Sequence, residues 1–222
     1  MKQRKSKFGN KLLPRFRCTQ PAKPGYAYCC AAHDPTHSAA FSPEDFGKYG
    51  LRSLKKSAIV ELYNGKDPYH EAELPQDIDK KSYHLDHIFE KQMFAYAFEC
   101  VAKGIAEYVR DEIANEDGNL ALTRAATNEL KGAACWKFFD DSITGHRAPD
   151  SGLNSYLLTT HGISTTRNHN RLQCAETKRI CTAIFKSARS CQHKLDDEND
   201  NELLKDEVAH QLQNMTAAMQ LK

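Results

Sequence analysis

Three short segments, in one order, constrain this chain most. Tyr83 to Phe89 alternates in the manner of a half-buried strand and carries Leu85, Asp86, His87 and Ile88. After Glu116 and Asp117, Gly118 and Asn119 read as a turn, and Leu120 to Thr123 as a second short strand. From about Arg124 to Phe139 the apolar residues Leu130, Ala134 and Phe138 recur at helical spacing. Strand, turn, strand and helix in that order predict a compact ββα unit. In such a unit a strand residue and a helix residue face each other across a gap the size of one metal ion.

The rest of the chain is expected to be helix-rich, with few strands. Residues 1–17 form a basic arm with seven Lys or Arg and no acidic residue. Residues 18–82 read as an irregular segment containing Cys and Pro, with one short helix inside Phe46–Tyr63, where Leu51, Leu54, Ala58 and Leu62 repeat. Residues 83–140 hold the ββα core, and a helix from Glu90 to about Ala114 lies inside its loop. Residues 141–222 are a helical C-terminal part: loop to Asn154, a basic helix over Ser164–Cys191, an acidic stretch over 195–207 and a final amphipathic helix. One overall domain of α+β class, mostly helical, is the expected architecture.

The chemistry this unit suits is hydrolysis of a phosphodiester. A neutral imidazole can take a proton from water near neutral pH, which makes His87 the expected general base. Asp86 and Asn128 would offer a carboxylate and an amide oxygen to Mg²⁺ or Mn²⁺, hard cations that prefer oxygen. Asn119 would tie the loop and orient the imidazole, and Lys131 would contact phosphate. Adjacent strand residues point to opposite faces, so the strand must twist or end for Asp86 and His87 to serve one centre. The plain alternative is a hairpin and helix in which Asp86 caps or forms an ion pair and Asn128 lies at the surface. Glu90, three residues beyond His87, could assist a metal, and exposure to solvent is the expected state.

Asp-His-Ile at Asp86–Ile88, Asn-Leu-Ala-Leu-Thr-Arg at Asn119–Arg124 and Asn128 with Lys131 resemble the HNH, or His-Me finger, endonucleases. The resemblance is to the HNH domain of RNA-guided CRISPR nucleases in particular, where a second Asn also follows the first by nine positions, as Asn128 follows Asn119. It covers about a fifth of the chain, in two blocks. It implies a ββα-metal core, from which this chain departs by a helix inserted in the loop, with extra helices flanking the core. It also implies Asp86 and Asn128 as metal ligands, His87 as base and Asn119 as the residue positioning the loop. The interval from His87 to Asn119 is 32 residues, about twice that of compact family members, and no zinc knuckle is visible. The segment from Asp86 to Gln92 is weakly similar to uncharacterised fungal secreted or effector-like proteins.

Nucleic acid, double-stranded DNA first and RNA second, is the expected partner. Arg124, Arg167, Arg171, Lys178 and Arg179 are the candidate phosphate contacts, and no base-reading motif is recognisable. The balance of 31 basic and 29 acidic residues confines any attraction for phosphate to such local patches. A polar cluster of His161, Asn168, His169 and Asn170 could add to this interface. Cys18, Cys29, Cys30 and His33 could hold a structural zinc, although disulfides or free thiols suit their spacing better. The expected activity is that of a metal-dependent endonuclease of low sequence specificity, in a toxin, an effector or a repair enzyme. A protein partner or immunity factor would fit a toxin. The competing expectation is a non-catalytic, cysteine-stabilised effector or binding module that keeps the fold. No apolar run long enough for a membrane span and no secretory signal is expected. An intracellular or nuclear location, or that of a processed secreted effector, follows.

Overall fold

The computed structural model describes residues 43–98, 103–159, 172–197 and 202–219. Its described residues form a mostly helical α+β fold around one two-stranded sheet. Helix α1 (Leu51–Leu62) opens after Gly50, whose φ of 72° is a left-handed conformation that costs glycine little. Leu51 and Ile59 turn inward, while the Arg52 guanidinium donates to the carbonyls of Tyr83 at 2.6 Å and Ile78 at 2.9 Å. Those bonds fasten the turn-rich segment ahead of the sheet to its first strand.

Strands β1 (Tyr83–His87) and β2 (Leu120–Arg124) pair antiparallel, with Asp86 opposite Ala121 and His87 opposite Leu120. Period-two alternation then divides the side chains. Leu120 and Leu122 join Leu51, Ile59 and Ile78 in a small cluster on one side, and Ala121 enters the main core on the other. β2 runs directly into α4 (Ala125–Thr144), so the expected order of strand, strand and helix is present.

The insertion between the strands is not the single helix expected over 90–114. It contains α2 (Lys91–Ala97) and α3 (Lys103–Tyr108), and α3 continues into a π-helical turn at Val109–Ala114. The Asn115 amide donates to the Arg110 carbonyl at 2.6 Å, a five-residue reach that stabilises this wide turn.

Helix α4 also runs past the expected boundary near Asp140, as far as Thr144. Gly145, at φ 74°, ends it. The added turn is anchored by Asp141, which pairs with Lys137 and accepts from Tyr156 Oη of α5 (Leu153–Leu157) at 3.0 Å. Tyr156 also meets Phe138 edge to face at 5.3 Å between centroids.

Helix α6 (Cys174–Asp197) buries Ile180, Ile184, Ala188 and Cys191, and α7 (Glu202–Met219) buries Val208, Leu212, Met215 and Met219. Both sets recur every three or four residues, which gives each helix one apolar stripe for the shared core. Among the described residues no helix is long and apolar enough to cross a membrane. The basic arm, the Cys18–Cys29–Cys30–His33 group, and His161, Asn168, His169 and Asn170 lie outside the described residues. Of the cysteines within them, Cys135, Cys174, Cys181 and Cys191 are free thiols.

Candidate active site

Asp86 and His87 end β1 and, as alternation demands, engage different surroundings. Asp86 points toward α4 and is 2% exposed. Its Oδ2 accepts from Tyr69 Oη at 2.6 Å and its Oδ1 from Lys131 Nζ at 3.1 Å. Tyr69 is itself set by Asp67, which accepts from the Tyr69 amide at 2.9 Å and from Thr123 Oγ1 at 2.9 Å. The buried carboxylate of Asp67 therefore ties the loop before β1 to the end of β2.

His87, 8% exposed, places Nε2 2.9 Å from Asn115 Oδ1. The other end of that amide donates to the carbonyls of Phe46 at 3.2 Å and Arg110 at 2.6 Å. An amide nitrogen committed to two carbonyls leaves only its oxygen for the ring. Nε2 must therefore carry the proton and Nδ1 the free lone pair. The task of orienting the imidazole, expected of Asn119, belongs to Asn115, a residue no motif singles out. Its only local signal is its place just after the π-turn, where backbone carbonyls five residues back come within reach of a side chain.

Burial is the main cause that lowers the His87 pKa to about 4, with the Asn115 hydrogen bond acting in the opposite direction. The ring is thus neutral at pH 7. Between pH 6.5 and 4 the folded protein binds fewer protons at His87 than the unfolded chain. Stability from this group is complete above that window and falls by about 3 kcal/mol as pH drops through it. The wild type is therefore expected to lose about 3 kcal/mol relative to His87→Gln between pH 7 and pH 4 in urea melts. Parallel pH profiles would show that the ring is not held neutral.

Asn119 does tie the loop. Its Oδ1 accepts from the Phe89 amide at 2.7 Å and from Ser187 Oγ of α6 at 2.8 Å. Its Nδ2 donates to the carbonyls of Ala114 at 2.9 Å and Phe89 at 3.4 Å. One fully buried carboxamide thereby joins the residues after β1, the end of the insertion and α6.

Two helix residues take positions other than those expected. Asn128 directs its amide to His84 Nδ1 at 3.2 Å rather than to Asp86. Lys131, expected near the metal-bearing face of the helix and in contact with phosphate, is 0% exposed. It lies on the same helical stripe as Thr127, Ala134, Cys135 and Phe138, all buried, and this spacing was the available signal for its direction. Its ammonium reaches Glu90 Oε1 at 2.6 Å, the His87 carbonyl at 2.8 Å and Asp86 Oδ1 at 3.1 Å. Glu90, expected in solvent, keeps only 15% side-chain exposure. Burial opposes the lysine charge, but Asp86 and Glu90 outweigh it and hold the ammonium above its ordinary range. Burial raises both carboxyls above theirs.

These contacts supply a test of fit for Mg²⁺ or Mn²⁺. Two carboxylates and a backbone carbonyl, all oxygen donors, converge on the Lys131 ammonium. Asn128, expected to hold the metal with Asp86, is not among these oxygens, and the buried ammonium fills the space between them, so the residues as they stand do not fit a divalent cation. Among the described residues no three His, Cys, Asp or Glu side chains form a metal cluster.

Of the candidate phosphate contacts, Arg124 and Lys178 are exposed, at the start of α4 and on α6 respectively. Arg179 is engaged with Glu71 at 2.7 Å. Arg167 and Arg171 lie outside the described residues.

The architecture places the chain in the α+β class, as a helix-rich protein with an antiparallel hairpin leading into a helix. No family model, curated protein or solved structure matches it.

Proposed function

We propose that this protein is an HNH-like endonuclease that hydrolyses phosphodiester bonds of DNA, and of RNA as the second choice, with low sequence specificity. The observation that carries this reading is His87, held neutral at the end of β1 with Nδ1 free as proton acceptor by an amide whose own orientation is fixed. His87 Nδ1 takes the proton of the attacking water. Asn115 keeps the ring in that tautomer, and Asn119 holds the loop that carries the Phe89 backbone beside it. Arg124 and Lys178 hold neighbouring phosphates through contacts that carry no sequence information. A toxin or effector role fits such an enzyme.

The second reading is a binding module that retains this fold without the chemistry. The observation in its favour is the saturation of the cation position: Lys131 satisfies all three of its donors inside the protein. Nicking of supercoiled plasmid at low salt separates the two. Under the nuclease reading the wild type nicks with Mg²⁺ and stops with EDTA, and His87→Ala is slower by about 10²–10⁴-fold. Intact plasmid with the wild type and with His87→Ala would leave the binding module standing.

A further inference from the structure

We propose that the outward face of α6 binds unpaired nucleic-acid strands, with a base stacked on Phe185 and neighbouring phosphates held by Lys178, Lys186 and Arg189. The inference rests on the nuclease reading for the class of partner and deepens it by naming the form of the strand.

Helix α6 has two faces of opposite character. Ile180, Ile184, Ala188 and Cys191 fill its buried stripe. Lys178, Phe185, Lys186 and Arg189 lie on the other side, and all four are exposed. At 3.6 residues per turn these four fall within about 100° of one another, and at 1.5 Å per residue the three cations span about 16 Å. Phe185 is 45% exposed on this charged face, while its neighbour Ile184 already serves the core. The Arg189 guanidinium lies 5.9 Å from the centre of the Phe185 ring. A flat apolar surface is thereby set beside a cation, with much of the ring left open to a second flat group.

Charge gives the second argument. From Thr177 to Lys194 the chain carries no Asp or Glu. The carboxylates that reach α6 in this stretch engage its two ends: Glu71 pairs with Arg179, and Glu112 and Glu116 with Lys194. Among the described residues Lys178, Lys186 and Arg189 are paired with no carboxylate. Three unneutralised cations around one exposed ring select the partner. A helix lying on a membrane buries a broad apolar face, and that of α6 is turned into the core. An acidic protein offers charge to the cations but no flat face to the ring. A duplex offers phosphates, but its bases are stacked on one another. An unpaired strand offers a phosphate at every nucleotide and a free base face between them.

The experiment uses the full chain in EDTA, so that the probe is not cut, and a fluorescein-labelled oligothymidylate of about 12 nucleotides followed by anisotropy at low salt. The wild type is expected to bind it at least about fivefold more tightly than a duplex of the same length. Phe185→Ala should weaken binding of the single strand at least about fivefold and that of the duplex by less than about twofold, whereas Phe185→Trp keeps both. Lys186→Ala should lower the slope of log affinity against log salt by about 0.7. Thermal melting of each variant checks that the surface substitutions leave the fold intact. A duplex bound more tightly than the single strand, an unchanged affinity in Phe185→Ala, equal losses for both probes, or binding to phosphatidylserine vesicles without binding to the oligonucleotide would each overturn the proposal. Plasmid nicking on the same preparations with Mg²⁺ keeps the two readings apart. Oligonucleotide binding that depends on Phe185, without nicking, removes the nuclease and leaves the strand surface. Nicking by a wild type whose oligonucleotide binding does not depend on Phe185 removes the strand surface and leaves the nuclease.

Discussion

Replacing Asn119 by alanine is expected to destabilise the protein by roughly 3–5 kcal/mol, a large part of the 5–15 kcal/mol that typically separates folded from unfolded domains. The reason is the number of groups left without partners. The Phe89 amide and the Ala114 carbonyl would each lose the side chain that satisfies them in the interior, and Ser187 would lose its acceptor. Each buried group so orphaned costs about 1–3 kcal/mol, and water cannot readily take the place of a residue that is itself fully buried. Asn119→Asp should recover little, because a carboxylate accepts from Phe89 and Ser187 but cannot donate to Ala114. Urea denaturation at pH 7 measures the loss. A change below about 1 kcal/mol would mean that the loop after β1 is held by something else.

Lys131→Ala should be as severe, at about 3–5 kcal/mol at pH 7, and for an electrostatic reason. It leaves Asp86 and Glu90 buried without their shared cation. The deficit should depend on pH in a definite sense. Burial already raises both carboxyl pKa values in the folded protein, and removing the ammonium raises them further. A carboxyl raised on folding contributes stability below its unfolded value near 4 and loses it as pH climbs through the folded value. The variant should therefore approach the wild type on acidification from pH 7 toward pH 5. Equal deficits at both pH values, in denaturant melts of the two proteins, would show that the lysine is held for packing and not for charge.

The parts of the fold that were readable along the chain share one property: their signals are local. The hairpin strands, the turn at Gly118 and Asn119, α1 and the stripe of α7 follow from periodicity and turn chemistry within a few residues. Boundaries were less legible where a distant partner sets them. α4 gains its last turn from Asp141, which Tyr156 holds from the next helix. The π-turn that ends the insertion is held by Asn115, which reaches the Arg110 carbonyl and that of Phe46, 69 positions away.

The candidate site divides in the same way. Asn119 was singled out by its place in the Asn-Leu-Ala-Leu-Thr-Arg segment that resembles the HNH endonucleases. The direction of Lys131 was half-legible, since its stripe with Ala134 and Phe138 is apolar, but a lysine there reads as exposed until a buried carboxylate is found to receive it. Asn115 carried no signal beyond its position.

The amino-acid sequence by itself determined that a strand bearing Asp86 and His87, a second strand and a helix bearing Asn128 and Lys131 follow one another, because hydrophobic period and turn residues act between near neighbours. Only the tertiary structure decided which side chains meet: Lys131 with Asp86 across 45 positions, His87 with Asn115 across 28, and Asn128 with His84 in place of Asp86. Those pairings depend on strand alternation, on the rotation of α4 against the sheet and on the need to satisfy every buried charge, and these are properties of the packed molecule.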